Sequence, residues 1–211
     1  MDGNKRWAKK NKKNLTQSYK RGVDKLLKIA DYCFFNHNID YVSAFALSTH
    51  NLSRSKKVTS SIFKILDLYL DEFLYNTEKY KFDIRFIGNL NIFNIDTKTK
   101  LKKINNRKNF NKTLIIALNY SGSLDIINAS NLFLNNTNKK LNYNDFLSTS
   151  HFPNPDLLIR TGGFQRLSDY FLFQISFTEF FFSRILWPDF KIKSINTIIS
   201  KYLKIERKFG K

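Results

Sequence analysis

The sequence predicts an α/β fold: a single domain over 1–211 with a central, mainly parallel sheet flanked by helices. Three observations predict it. Short apolar runs of strand length alternate with longer segments whose apolar residues recur at helical spacing. Polar clusters follow three of the strand-like runs, at the strand ends where open parallel sheets gather their ligands. No internal repeat, Pro/Gly-rich linker or shift of composition divides the chain.

Val23, Leu26, Leu27, Ala30, Cys33 and Phe34 lie on one face of a helix that ends near Asn36, His37 and Asn38. The run 41–47 is short, apolar and rich in β-formers, as in a strand covered on both faces. Val58, Ile62, Ile65, Leu66, Tyr69 and Phe73 mark a second amphipathic helix. A strand at 84–87, a polar helix before Asn109, a strand at 114–118, a helix from about Ser123 and a strand at 157–159 continue the alternation. The polar clusters are Ser48 to Asn51, Asn119 to Gly122 and Arg160 to Gly163, so three loops converge on one rim.

With 42% hydrophobic and 25% charged residues, the composition excludes a disordered chain. The formal charge of +19 favours anionic partners: nucleic acid, acidic lipid or phosphate-bearing metabolites. The abundance of Lys, Asn, Ile and Phe, a bias expected of an AT-rich genome, explains the charge equally well, so charge alone selects none of them. No apolar run reaches transmembrane length, and the basic N-terminal stretch lacks the apolar segment of a signal peptide. A cytoplasmic protein is expected, peripheral at the inner membrane face at most. Cys33, the single cysteine, reads as a packed thiol. Neither a Walker A loop nor a GxGxxG fingerprint is present.

Two segments carry recognisable chemistry. At the end of the last strand, Arg160, Thr161, Gly162 and Gly163 are followed by Arg166, Leu167 and Ser168. Glycines let the backbone approach an anion, arginines fork onto phosphate oxygens, and a serine hydroxyl donates to another. The plainer reading is a glycine turn with two exposed arginines. In the opening Met1-Asp2-Gly3-Asn4-Lys5-Arg6-Trp7, Asp2 offers the carboxylate oxygen that a hard cation such as Mg2+ prefers. The competing reading is a frayed basic terminus.

Met1-Asp2-Gly3-Asn4 with Arg6-Trp7, Asn119-Tyr120 with Ser121-Gly122 and Asp125, the run Asp156 to Gly163, and Leu186-Trp187-Pro188-Asp189-Phe190 occur in a telling order. That order and the approximate spacing resemble the cis-prenyltransferases, enzymes of the undecaprenyl diphosphate synthase type, and the resemblance extends to Glu206-Arg207-Lys208-Phe209-Gly210. It implies an isoprenyl transferase that condenses isopentenyl diphosphate onto an allylic diphosphate such as farnesyl diphosphate, in cis, to make a polyprenyl diphosphate lipid carrier. It further implies Mg2+ as cofactor and a homodimer, with no nucleic acid among its partners.

Residue by residue, the resemblance implies that Asp2 is the catalytic aspartate and a metal ligand, with Glu179 a second carboxylate for the metal. Gly3, Asn4, Lys5 and Arg6 would line the allylic diphosphate, with Trp7 as a neighbouring contact. Asn51 would take part in proton removal, and Tyr19, Ser48, Thr49, His50 and Arg54 would border the substrates. Arg160, Arg166, Leu167 and Ser168 would form the isopentenyl diphosphate clamp.

Several positions depart from the family pattern. Leu15 and Tyr19 replace an arginine and a histidine, His50 a glutamate, Leu52 an aromatic residue, Phe164 an acid, Gln165 a polar or basic residue, Ser121 a glycine and Lys208 an arginine. The family's apolar strand before Met-Asp-Gly-Asn has no counterpart in the sequence, so the first strand reads as truncated: either the true start lies upstream, or the sheet lacks that strand and Asp2 loses a rigid anchor. Two other readings follow from these departures and from the charge: a non-catalytic partner subunit of a heteromeric cis-prenyltransferase, and a basic nucleic-acid-binding protein. The aspartate-rich DDxxD motifs of the trans-type enzymes are missing.

Overall fold

The strand β3 (Thr113–Tyr120) is buried at all eight positions and anchors the fold. Parallel neighbours flank it, β1 (Tyr41–Ser48) on one side and β2 (Asp83–Ile87) on the other, in the order β1-β3-β2. Burial on both faces explains why its sequence is an apolar run without alternation. A computed structural model describes residues 1–52, 56–138 and 140–207 of the chain.

A second parallel pair, β4 (Leu157–Arg160) and β5 (Glu179–Phe182), stands apart from the three-stranded sheet, with Leu157 opposite Glu179 and Arg160 opposite Phe182. The predicted parallel sheet is therefore present in two parts. Among the described residues β1 pairs only with β3 and β4 only with β5. The remaining edges of β1 and β4 border one cavity.

Helices α1 (Asn4–Lys10), α2 (Leu15–Asn36), α3 (Thr49–Leu52), α4 (Lys56–Tyr75), α5 (Ile95–Asn105), α6 (Gly122–Leu134) and α7 (Ile192–Tyr202) surround the strands. The first predicted helix extends two turns further back than its apolar pattern. A reciprocal cap explains this: Gln17 N donates to Asn14 Oδ1 at 2.8 Å, and Asn14 N donates to Gln17 Oε1 at 3.1 Å. The apolar face of α2 packs with Ile65, Tyr69, Leu70 and Phe73 of α4 and with Ile195 and Ile199 of α7 in the main core. A smaller core on the other sheet face joins Ile115 and Ala117 to Tyr170, Phe171 and Ile175.

The turn Trp187–Asp189 is fastened to α2. Trp187 Nε1 donates to the Gly22 carbonyl at 2.8 Å, and a Cβ on Gly22 would lie 3.2 Å from the indole ring. Among the described residues, no helix is long and apolar enough to cross a membrane.

Candidate active site

Gly3 begins the site because its φ of 108° is open to glycine and strained for other residues. That conformation turns Asp2 towards the end of β4. The Asp2 main chain is tied there by Thr161 and Trp187. Asp2 N donates to Thr161 Oγ1 at 3.0 Å, while the Asp2 carbonyl accepts from Thr161 Oγ1 at 3.1 Å and from Trp187 N at 2.9 Å. Asp2 thus has a rigid anchor. Thr161, 1% exposed, supplies it, a role its residue type alone did not announce.

The Asp2 carboxylate accepts from Arg160 Nη2 at 3.2 Å and from Arg6 Nη2 at 3.4 Å. Arg160 in turn donates through Nη1 to Ser168 Oγ at 2.9 Å and to the Arg166 carbonyl. One guanidinium therefore joins the two segments that the sequence singled out separately. Gly162 makes the junction possible, since a Cβ there would lie 2.7 Å from Arg6 Nη2 and 3.1 Å from the Asp2 carbonyl. Phe164, an aromatic ring where an acid was the family norm, lies under the guanidinium groups of Arg166 at 4.2 Å and Arg6 at 4.9 Å. It holds both cations near the site without neutralising them.

These groups stand at the mouth of a cavity of about 1080 Å³ that follows β1 from Ser48 back to Tyr41 and β4 from Arg160 back to Leu157. Of the residues singled out in the sequence, Asp2, Asn4, Lys5, Tyr19, Ser48, His50, Asn51, Arg160, Arg166, Leu167 and Ser168 line it. Deeper in, the walls are largely apolar, including Leu26, Ile29, Ala44, Ile62 and Ile199, with Asn38, Asp40 and Asp156 also on the lining. Cys33 belongs to this wall, and burial pushes its thiol up to about 11. A charged rim opening onto a long apolar interior suits a ligand with an anionic head and a hydrocarbon tail.

Other expected contacts fall elsewhere. Trp7 is buried, donates from Nε1 to Asp189 Oδ1 at 2.8 Å, and lies under the Arg21 guanidinium at 5.1 Å. It buttresses α1 against the Trp187–Asp189 turn and does not line the cavity, because its only polar atom is spent on that brace. Gly3 and Thr49 do not line it either. Gly3 shapes the backbone against Leu186, 2.8 Å from where its Cβ would be. Arg6 reaches the site through Asp2.

Glu179 opens β5 opposite Leu157, at the far end of the pair from Arg160, so within one chain the strand register keeps it from joining Asp2. Asp125 is structural: it accepts from Tyr120 Oη at 3.1 Å and Ser148 N at 3.0 Å. Arg54 and Lys208 lie outside the described residues.

Among the described residues, no three metal-ligating side chains cluster. Asp2 alone still fits a hard divalent cation, which takes one or two protein carboxylates and completes its shell with phosphate oxygens and water. Beside it, Asn4 Oδ1 and Arg160 Nε are buried without a hydrogen-bond partner among the described residues, as expected where polar contacts await a ligand.

The undecaprenyl diphosphate synthase family model matches residues 1–210. The chain belongs to the cis-prenyltransferases. Dehydrodolichyl diphosphate synthase 4 of Arabidopsis thaliana is 37% identical to this cis-prenyltransferase over all of the chain and 77% of the relative. An isoprenyl transferase of Rickettsia typhi is 35% identical, covering all of the chain and 95% of the relative. Lavandulyl diphosphate synthase from Lavandula x intermedia, solved with dimethylallyl diphosphate, superposes with a TM-score of 0.88 at 25% identity, over 100% of this chain and 95% of that one. Cis-prenyltransferases join isopentenyl diphosphate to an allylic diphosphate and use a divalent metal.

Proposed function

We propose that this cis-prenyltransferase elongates an allylic diphosphate such as farnesyl diphosphate with successive isopentenyl diphosphate units, yielding a polyprenyl diphosphate lipid carrier. The observation that carries the reading is Arg160, which joins two anion-binding loops at the mouth of an apolar cavity. One loop takes the allylic diphosphate on Asn4, Lys5 and Arg6; the other takes isopentenyl diphosphate on Arg166 and Ser168. Mg2+ held by Asp2 would act as a Lewis acid on the leaving diphosphate.

The chain's own cations carry the rest of that charge. As the allylic C–O bond breaks, the diphosphate leaves with the electron pair, and Lys5 and Arg6 would take up its charge. The double bond of isopentenyl diphosphate forms the new C–C bond, and a proton is then lost to a diphosphate oxygen. Asn51, on α3 at the rim, is placed to orient that proton with its amide oxygen. The growing hydrocarbon enters the apolar interior, where water is excluded, and the finished product passes to the membrane surface.

A homodimer is part of the proposal. Phe180 and Phe182 of β5 are 42% and 41% exposed and Phe177 is 63% exposed, an apolar face suited to a second copy.

Incubation of purified protein with farnesyl diphosphate, labelled isopentenyl diphosphate and Mg2+ tests the reading. Labelled long-chain product is expected, with turnover falling by about 10³ in Asp2→Ala, on the scale of losing an electrostatic stabiliser. Absence of elongation by the wild-type protein overturns it.

A further inference from the structure

The loop after β4 carries three non-glycine residues in the left-handed region: Ser168 at φ 54°, Asp169 at 67° and Phe171 at 51°. Such a run is strained and persists only where surrounding contacts over-determine it. Phe171 is packed in the smaller core, and Asp169 supplies the polar fastening to α6. The Asp169 carbonyl accepts from Gly122 N at 2.8 Å. Its carboxylate accepts from Ser123 N at 2.9 Å, from Ser123 Oγ at 2.7 Å, and from the Ser121 hydroxyl. The N-terminus of α6 is thereby closed by the protein itself, with two of its free N–H groups, those of Gly122 and Ser123, spent on Asp169.

Ser168 precedes Asp169 directly, and its Oγ is the acceptor at 2.9 Å from Arg160 Nη1. Arg160 Nη1 also donates to the Arg166 carbonyl. The orientation of all three clamp residues therefore depends on where Asp169 is fastened. Ser121, which stands where the family pattern has glycine, contributes one strut and also caps α6 by accepting from Leu124 N at 3.2 Å.

We propose that Asp169 is a positioning residue for the second anion site: by clasping Ser121 and Ser123 it holds Arg166 and Ser168 in the arrangement that binds isopentenyl diphosphate. The inference rests on the proposed function for the identity of that ligand. Partial burial pushes the Asp169 carboxyl up, but the hydrogen bonds from Ser121 and Ser123, with His50 nearby, outweigh it and hold it below the usual carboxylate range. The clasp is thus ionised at neutral pH, and charge-assisted hydrogen bonds are the stronger kind.

Steady-state kinetics with each substrate varied, together with calorimetric titration of isopentenyl diphosphate into the full chain, test the proposal. Asp169→Ala is expected to raise KM and the dissociation constant for isopentenyl diphosphate about tenfold, with the KM for farnesyl diphosphate changed less than about twofold. Asp169→Asn, which keeps an acceptor for Ser123 N, should recover part of the loss, and Ser121→Ala should show a weaker form of it. Equal losses for both substrates, or an unchanged affinity for isopentenyl diphosphate in folded Asp169→Asn and Ser121→Ala, overturn the proposal. If the wild-type chain binds isopentenyl diphosphate but never elongates, the functional reading fails while the tenfold loss on Asp169→Ala still supports the clasp.

Discussion

β3 is buried at all eight positions, whereas β5, four residues long, turns Phe180 and Phe182 to solvent. The first strand has parallel partners on both sides, and the second has one. The difference separates what makes the fold from what makes the site. The three-stranded sheet is supported chiefly by packing, with Leu114 and Ala117 wholly buried. The β4–β5 side carries the proposed diphosphate loops, and there specific hydrogen bonds do the holding: Thr161 on Asp2, Arg160 on Ser168, and Asp169 on the start of α6. Polar fastening suits a region that must meet charged ligands.

Leu114→Ala should break the packed side most severely. Truncating a leucine with no exposed surface removes its transfer energy and leaves a cavity, for a loss of about 2–5 kcal/mol in urea unfolding. A small loss there would mean that β3 is less essential than its burial indicates. Phe180→Glu on the other side should leave monomer stability within about 1 kcal/mol of wild type. Sedimentation should nonetheless show the variant shifted from dimer to monomer, and a dimer that survives the charge would place the second copy on another face.

The mildest test concerns Cys33, a buried residue of α2 that forms part of the cavity wall. With its thiol pushed up to about 11 by burial, roughly one molecule in a thousand is thiolate at pH 8. Native protein should therefore react slowly with a thiol reagent and urea-unfolded protein quickly, with the native rate rising as pH is raised towards 11. Rapid labelling at pH 8 would show that the apolar interior is open to water.

Much of the fold was legible because apolar periodicity is local. The strand predicted at 41–47 is β1, that at 114–118 is β3, and the helix marked by Val58 to Phe73 is α4. α1, β5 and α7 were not anticipated. For α7 the information was present: Ile192, Ile195, Ile199 and Tyr202 keep helical spacing. β5 was hidden because Glu-Phe-Phe-Phe has no alternation, its buried and exposed phenylalanines being the same residue type. α1 was hidden because Asn4-Lys5-Arg6 reads as a polar loop, and Gly3 begins the helix without a side-chain cap.

The site divides the same way. Arg160, Arg166 and Ser168 were readable because glycines, arginines and a serine at one strand end already make an anion loop. Trp7 was misread as a ligand contact, since nothing local reveals that Asp189, 182 residues away, takes its N–H. Asp169 was passed over because its partners, Ser121 and Ser123, come from another strand-to-helix connection.

The sequence by itself determined the alternation of strands and helices and the residue types of both anion-binding loops, since these depend on periodicity and chemistry within a few neighbouring positions. Only the tertiary structure decided that Asp2 meets Arg160 across 158 residues, that Glu179 lies at the opposite end of its strand pair, and that Asp169 clasps α6. Those relations are set by which strand ends share a rim and in what register, and no single segment carries that information.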